Sequence, residues 1–174
     1  DMAGNLYAVW TDFRADDDGQ IYFSRWLSGT TWADGAWSAA VRLSDADADW
    51  GTDPDIKASP DGSIYAAWVE RVPTGPATYD FQVVVARSSD QGDTWSTVVV
   101  HRLTSASASN AFYQGPSLGV MFPGRIAVAW LHSPDSQAAT ASILTAASYD
   151  RGAHWSLPRR VNTVANVDVD SLPA

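Results

Sequence analysis

Asp12, Glu70 and His132 each stand two positions after a tryptophan that ends a short apolar run, and Arg14 and Arg71 lie beside the first two. Two carboxylates, an imidazole and two guanidinium groups are the side chains that transfer protons and pair with charged or hydroxylated ligands. If the three runs are equivalent elements of a repeat, the fold brings equivalent positions together, and these five residues become candidate catalytic groups in one concave site. The alternative is that they are ordinary solvated loop residues.

The elements that must position them are visible as a repeat. Leu6 to Trp10, Ile64 to Trp68 and Ile126 to Trp130 are strand-like runs whose tryptophans lie 58 and 62 positions apart. A second alternating run follows each one (Gln20 to Arg25, Phe81 to Arg87, Ala141 to Ala147), then an Asp- and Gly-rich turn and a further tryptophan, Trp37, Trp95 or Trp155. A third run comes next (Ser38 to Leu43, Ser96 to Leu103, Ser156 to Val161). A fourth, beginning near Asp55, Ser117 or Asp170, precedes the next Trp-ended strand.

Segments such as Val83-Val84-Val85 and Ile21-Tyr22-Phe23 are β-branched or aromatic, with Gly and Pro confined between runs. Four short strands per unit and no helical period predict an all-β chain, a β-propeller of three four-stranded blades. The expected bounds are 1–44 for blade 1, 53–104 for blade 2 and 115–162 for blade 3, with 166–174 as the first strand of a following or partner blade. Leu118 and Ile56 lie 12 residues before their tryptophans, and Leu172 joined to the chain start lies 12 before Trp10. Since propellers have four to eight blades, this predicts half of a six-bladed ring, completed by a second copy or by the remainder of a longer chain.

The turn Ser88-Ser89-Asp90-Gln91-Gly92-Asp93-Thr94-Trp95 carries the pattern Ser-x-Asp-x-Gly-x-Thr-Trp, and Ser148-Tyr149-Asp150-Arg151-Gly152-Ala153-His154-Trp155 repeats it with His154 for Thr. The first unit keeps only Asp34-Gly35-Ala36-Trp37. Ser88, Asp90, Gly92, Thr94, Trp95, Ser148, Asp150, Gly152 and Trp155 read as a structural clasp: the carboxylate accepts turn N–H groups, glycine supplies a positive φ, and tryptophan covers the junction between blades. With Trp10-Thr11-Asp12-Phe13-Arg14 and Ile21-Tyr22-Phe23-Ser24-Arg25, these motifs resemble the Asp-box (BNR) repeats of the sialidase-like superfamily over the whole chain. The resemblance implies a six-bladed fold with the Asp boxes on the rim away from any active site.

A working sialidase of that family would need an Arg triad, a Tyr nucleophile with a Glu partner and an Asp acid/base. The family's Phe/Tyr-Arg-Ile-Pro signature is missing, and Arg125-Ile126-Ala127 is the nearest string. The expected function is therefore a non-catalytic module that binds carbohydrate or protein at the face opposite the Asp boxes. A sialidase-like glycoside hydrolase and an assembly scaffold are the alternatives.

Three of the nine tryptophans fall outside the repeat, Trp26, Trp32 and Trp50, and are candidate glycan contacts because indole faces stack on sugar rings. Trp50 is expected to be the exposed one. The alternation Asp45-Ala46-Asp47-Ala48-Asp49 resembles the start of a calcium loop but has Ile56 where the acidic twelfth residue belongs, and Ser105-Ala106-Ser107-Ala108-Ser109 repeats the alternation without charge. No cofactor other than calcium at Asp45, Asp47 and Asp49 is suggested. Asp16-Asp17-Asp18-Gly19 reads first as a turn.

Eleven Lys and Arg against twenty Asp and Glu give a net charge of −9, which disfavours nucleic acid and anionic lipid as partners. No apolar run reaches the ~18 residues of a membrane span. The absence of cysteine excludes disulfides and thiolate sites and suits an exported protein, so a secreted or cell-surface, bacterial setting is expected.

Overall fold

A computed structural model of the chain describes residues 1–14, 19–29, 31–32, 36–105, 112–121, 123–133 and 141–162. Among these there are eleven strands in three antiparallel sheets, and no helix long and apolar enough to cross a membrane. The first sheet holds β1 (Leu6–Asp12), β2 (Gln20–Trp26) and β3 (Val41–Arg42). The second is the meander β4 (Trp50–Ala58), β5 (Ile64–Gly75), β6 (Thr78–Ser88) and β7 (Ser96–Ser105). The third is β8 (Phe112–Met121), β9 (Arg125–Ser133), β10 (Ser142–Ser148) and β11 (Arg159–Arg160), in the same order of neighbours. The segment 166–174, expected to complete a blade, lies outside the described residues, as do Asp16 to Asp18, Asp34 and Gly35.

The middle sheet is covered on both faces, which explains why Ile64-Tyr65-Ala66-Ala67-Trp68-Val69 is an unbroken apolar run rather than an alternation. Ile64, Ala66 and Trp68 join Ile21 and Phe23 of the first sheet in one core. Tyr65, Ala67 and Val69 join Ile126, Val128 and Trp130 of the third in another. Consecutive side chains on β5 thus serve opposite neighbours, and the period of two fixes which.

β4 and β8 start earlier than the sequence reading placed them, because each runs through a proline at a bulge. Asp53 (φ 53°) precedes Pro54 and Gly115 (φ 55°) precedes Pro116, and the register shifts there in both pairings. Asp53 Oδ2 accepts the Gly115 amide at 3.2 Å and Asp55 Oδ2 the Leu118 amide at 2.8 Å, stitching β4 to β8. Gly51 N donates to Gly19 O at 3.0 Å and ties the first sheet on.

β3 and β11 are two residues long, shorter than the runs Ser38 to Leu43 and Ser156 to Val161 suggested. A serine at each site explains it: Ser38 Oγ accepts Arg25 N at 3.2 Å and Ser156 Oγ accepts Ala147 N at 3.1 Å. Both hydroxyls then donate to the next carbonyl, Ala39 O and Leu157 O, at 3.2 Å. At each serine the backbone bond Ser38 N to Arg25 O or Ser156 N to Ala147 O remains at 2.9 Å, and the hydroxyl takes the place of the return bond.

The β6–β7 and β10–β11 turns share one bonding scheme. Ser88 Oγ accepts Gly92 N (2.7 Å) and donates to Asp90 Oδ1 (2.7 Å), and Asp90 accepts Thr94 N (2.9 Å) and Thr94 Oγ1 (2.5 Å). In the second turn Ser148 and Asp150 make the same bonds, and His154 Nδ1, 2.6 Å from Asp150 Oδ2, replaces the threonine hydroxyl. These donors, Thr94's hydroxyl first, hold the Asp90 carboxyl down at about 2, and the His154 bonds hold Asp150 well below the usual carboxylate range. Trp95 and Trp155 each donate Nε1 to the turn glycine's carbonyl, at 3.2 and 3.1 Å.

Candidate functional site

A residue two after a strand tryptophan shares its face, so the carboxylate meets the indole. Trp10 Nε1 donates to Asp12 Oδ2 at 3.4 Å and Trp68 Nε1 to Glu70 Oε2 at 2.9 Å. Both carboxylates are nearly buried, yet they are tuned in opposite directions. Asp12 also accepts the Arg14 amide and guanidinium, with Nε at 2.9 Å, and these bonds hold its carboxyl far below the usual range. It is a fixed anion, unsuited to giving up a proton. Glu70 is pushed up by burial, against the opposing pull of the Trp68 indole and the Asp45 amide at 3.2 Å. Both of those bonds fall on Oε2.

In the third unit the carboxylate is replaced by His132. Its ring meets His101 of β7 edge-on at 5.7 Å, and His101 lies 5.6 Å from Trp130. Burial lowers both imidazoles, and for His132 the neighbouring His101 and Arg160 lower it further. A histidine that resists protonation in the fold stabilises it above the ordinary value of 6.5, and that contribution is lost as pH falls below 6.5 through the folded values. His132→Gln is therefore expected to flatten the acid side of a Tm-against-pH curve between pH 7 and 5. An unchanged curve would contradict the burial of this pair.

Arg71 points away from Glu70, toward the other side of β5. Its Nε and Nη2 bind Asp49 Oδ1 and Oδ2 at 2.8 and 3.0 Å, its guanidinium lies 4.8 Å above the Tyr79 ring, and it pairs across the strands with Trp50. Trp50 is half-buried, packed on the core between the second and third sheets, where the sequence reading had it exposed. Of the three carboxylates of the expected calcium loop, Asp49 clamps Arg71, and Asp45 Oδ1 accepts the Asp47 amide at 2.9 Å. Among the described residues no three Asp, Glu or His side chains gather in a way that could hold a metal ion.

Trp26 and Trp32 are at the opposite end of the blades from Trp50. β2 runs out at Trp26 toward the same end as the Ser-x-Asp turns, where Arg25 Nη1 donates to Gln91 O at 2.8 Å. Trp26, Trp32 and Trp37 stand edge to face at 5.5 and 6.3 Å, with Trp32 65% exposed. The three tryptophans outside the repeat therefore do not form one surface.

The sequence reading missed Tyr79, Asp80, Gln82 and Arg102. Gln82 and Arg102 pair across β6 and β7, and Arg102 Nη1 reaches Asp80 Oδ2 at 2.9 Å. The available signal was polar residues set inside otherwise apolar strand runs.

No family model and no curated protein sequence matches the chain. Solved structures do match it in fold. The GH93 α-L-arabinofuranosidase of Fusarium graminearum in complex with arabinobiose aligns with a TM-score of 0.61 at 17% identity, over 93% of this chain and 46% of its own. A mutant α-L-arabinofuranosidase of the same fungus, bound to an iminosugar inhibitor, aligns at 0.54 and 15% identity, over 93% and 54%. The chain spans about half the length of these structures. At these identities the likeness is one of propeller fold alone.

Proposed function

We propose that the chain is a segment of a carbohydrate-directed propeller that recognises a neutral saccharide at the end opposite its Ser-x-Asp turns. The observation that carries this reading is the group at that end: a guanidinium clamped by Asp49, spread over Tyr79 and set beside Trp50. A fixed fork of donors next to aromatic surface is what hydroxyl recognition and ring stacking need. The net charge of −9 favours a neutral ligand over an acidic one, and the fold is shared with enzymes whose bound ligands are a disaccharide and an iminosugar. The matched bonding of the two Ser-x-Asp-x-Gly turns supports kinship with Asp-box repeats, and an exported setting accords with both.

A hydrolase is the second reading, favoured by Glu70, whose burial raises its carboxyl toward the range of a general acid. Calorimetric titration with arabinobiose is expected to show saturable binding that Arg71→Met weakens by about tenfold or more. Turnover of an aryl α-L-arabinofuranoside that Glu70→Gln abolishes would establish the hydrolase. Absence of both binding and turnover across a panel of neutral di- and oligosaccharides would sink the carbohydrate reading.

A further inference from the structure

Sheets one and two do not cover each other completely. β3 is two residues long and β7 is ten, so the outer strand of the first sheet is too short to cover the length of β7, and Thr97, Val99 and Arg102 line open space. The result is a cleft of about 230 Å³ between the blades. Its lining is mixed: Leu43, Trp68, Val72, Val84 and Val99 supply apolar surface, and Gln82, Arg102, Asp45 and Asp47 supply polar groups. Glu70 also lines it, 3% exposed, with both of its hydrogen bonds on Oε2. Oε1 has no partner among the described residues.

We infer that this inter-blade cleft is a binding site for a single neutral sugar ring, with Glu70 Oε1 and the Gln82 and Arg102 side chains meeting its hydroxyls. The size decides between a ring and a chain: the volume falls below the roughly 300 Å³ at which drug-sized ligand pockets begin, so an oligosaccharide is too large. Charge decides against an acid, because Glu70, Asp45 and Asp47 outnumber Arg102, which is already paired with Asp80. The apolar part of the lining suits the C–H face of a ring, and the polar part suits its hydroxyls. The choice of a sugar rests on the carbohydrate reading above. The cleft itself does not, since it lies on the face of β5 away from Arg71 and Trp50.

The test is an NMR titration of the whole chain with methyl α-L-arabinofuranoside and methyl β-D-galactopyranoside, following the indole N–H signals. Trp68 Nε1 reports on the cleft through its bond to Glu70, and Trp50 reports on the Arg71 end. A saturable shift of the Trp68 signal is expected with one of the two. Val99→Trp, on the exposed side of β7, should remove that shift by filling the cleft while the other indole signals stay in place. Glu70→Gln keeps an oxygen for Trp68 and Asp45 but turns the open atom into an amide, and should change affinity on the order of tenfold. A Trp68 signal that never moves, or one that moves equally in the Val99→Trp protein, overturns the site. A Trp50 shift without a Trp68 shift would do so while leaving the carbohydrate reading intact.

Discussion

Gly92→Ala is expected to destabilise the chain by about 2–5 kcal/mol, and Gly152→Ala by only about 1–2. Both glycines hold the same place in equivalent turns, with φ of 94° and 88°. A β-carbon strains the backbone at either one by an amount set by the left-handed conformation. The difference lies in what the new atom meets. At Gly152 the nearest neighbour is Ile126 Cδ1 at 3.6 Å, an ordinary contact. At Gly92 it would overlap the edge of the Phe23 ring. Phe23 cannot yield, being 1% exposed and pressed edge-on against Trp95 with centroids 4.9 Å apart. Overpacking of this kind adds about 1–3 kcal/mol to the backbone strain. In thermal unfolding the Gly92 variant should melt roughly 4–20 °C below the parent, and the Gly152 variant roughly 2–8 °C below it. Equal losses would mean that the turn does not wedge against the first sheet.

The same contact shows what the sequence carried and what it could not. The Trp-ended runs are legible because short apolar stretches rich in β-branched and aromatic residues recur at a nearly constant spacing between turn signals. The turns were legible because every fixed residue has a bonding duty: Ser88 and Asp90 between them take the amides of Gly92 and Thr94. Repeat equivalence predicts that Asp12, Glu70 and His132 converge, whereas the period of two turns each toward the face that its tryptophan occupies. A residue two after Trp68 must share Trp68's face, so Glu70 looks into the blade junction and Arg71 to the other side. Asp45, Asp47 and Asp49 have the spacing of ion ligands, but spacing does not say that Asp49 has a guanidinium within 3.0 Å. Trp26, Trp32 and Trp50 were pooled because each falls outside the repeat. Only the path of the chain separates them, with β2 leaving toward the turns and β4 starting at the far end. The early starts of β4 and β8 were hidden by Pro54 and Pro116, which end a strand on paper but sit at bulges in the fold.

Trp68→Phe is expected to cost about 2–4 kcal/mol, and distinctly less when Glu70 is already glutamine. Trp68 is fully buried, so the smaller ring leaves unfilled space that the packed sheets on either side close only in part. It also removes one of the two donors on Glu70 Oε2, leaving a buried carboxylate with the Asp45 amide alone. Glutamine in place of Glu70 keeps an acceptor for both donors and carries no charge, so losing the indole from that background removes packing and one neutral hydrogen bond only. A coupling of about 1–2 kcal/mol between the two positions is the expected result of the double-mutant cycle. The sign of the pH dependence gives a second reading of the same pair. Glu70's folded value lies above its ordinary 4.5, so the fold binds the proton more tightly than the unfolded chain does. Its contribution is fullest below pH 4.5 and is lost as pH rises through the folded value, where a charge must be kept in the junction. Glu70→Gln, which never ionises, should therefore gain stability relative to the parent between pH 4 and 7. A parent chain that keeps pace with the variant over that interval would place the Glu70 carboxylate in water, outside the junction where Trp68 holds it, and one that gains on the variant would mean that the fold stabilises the charged form.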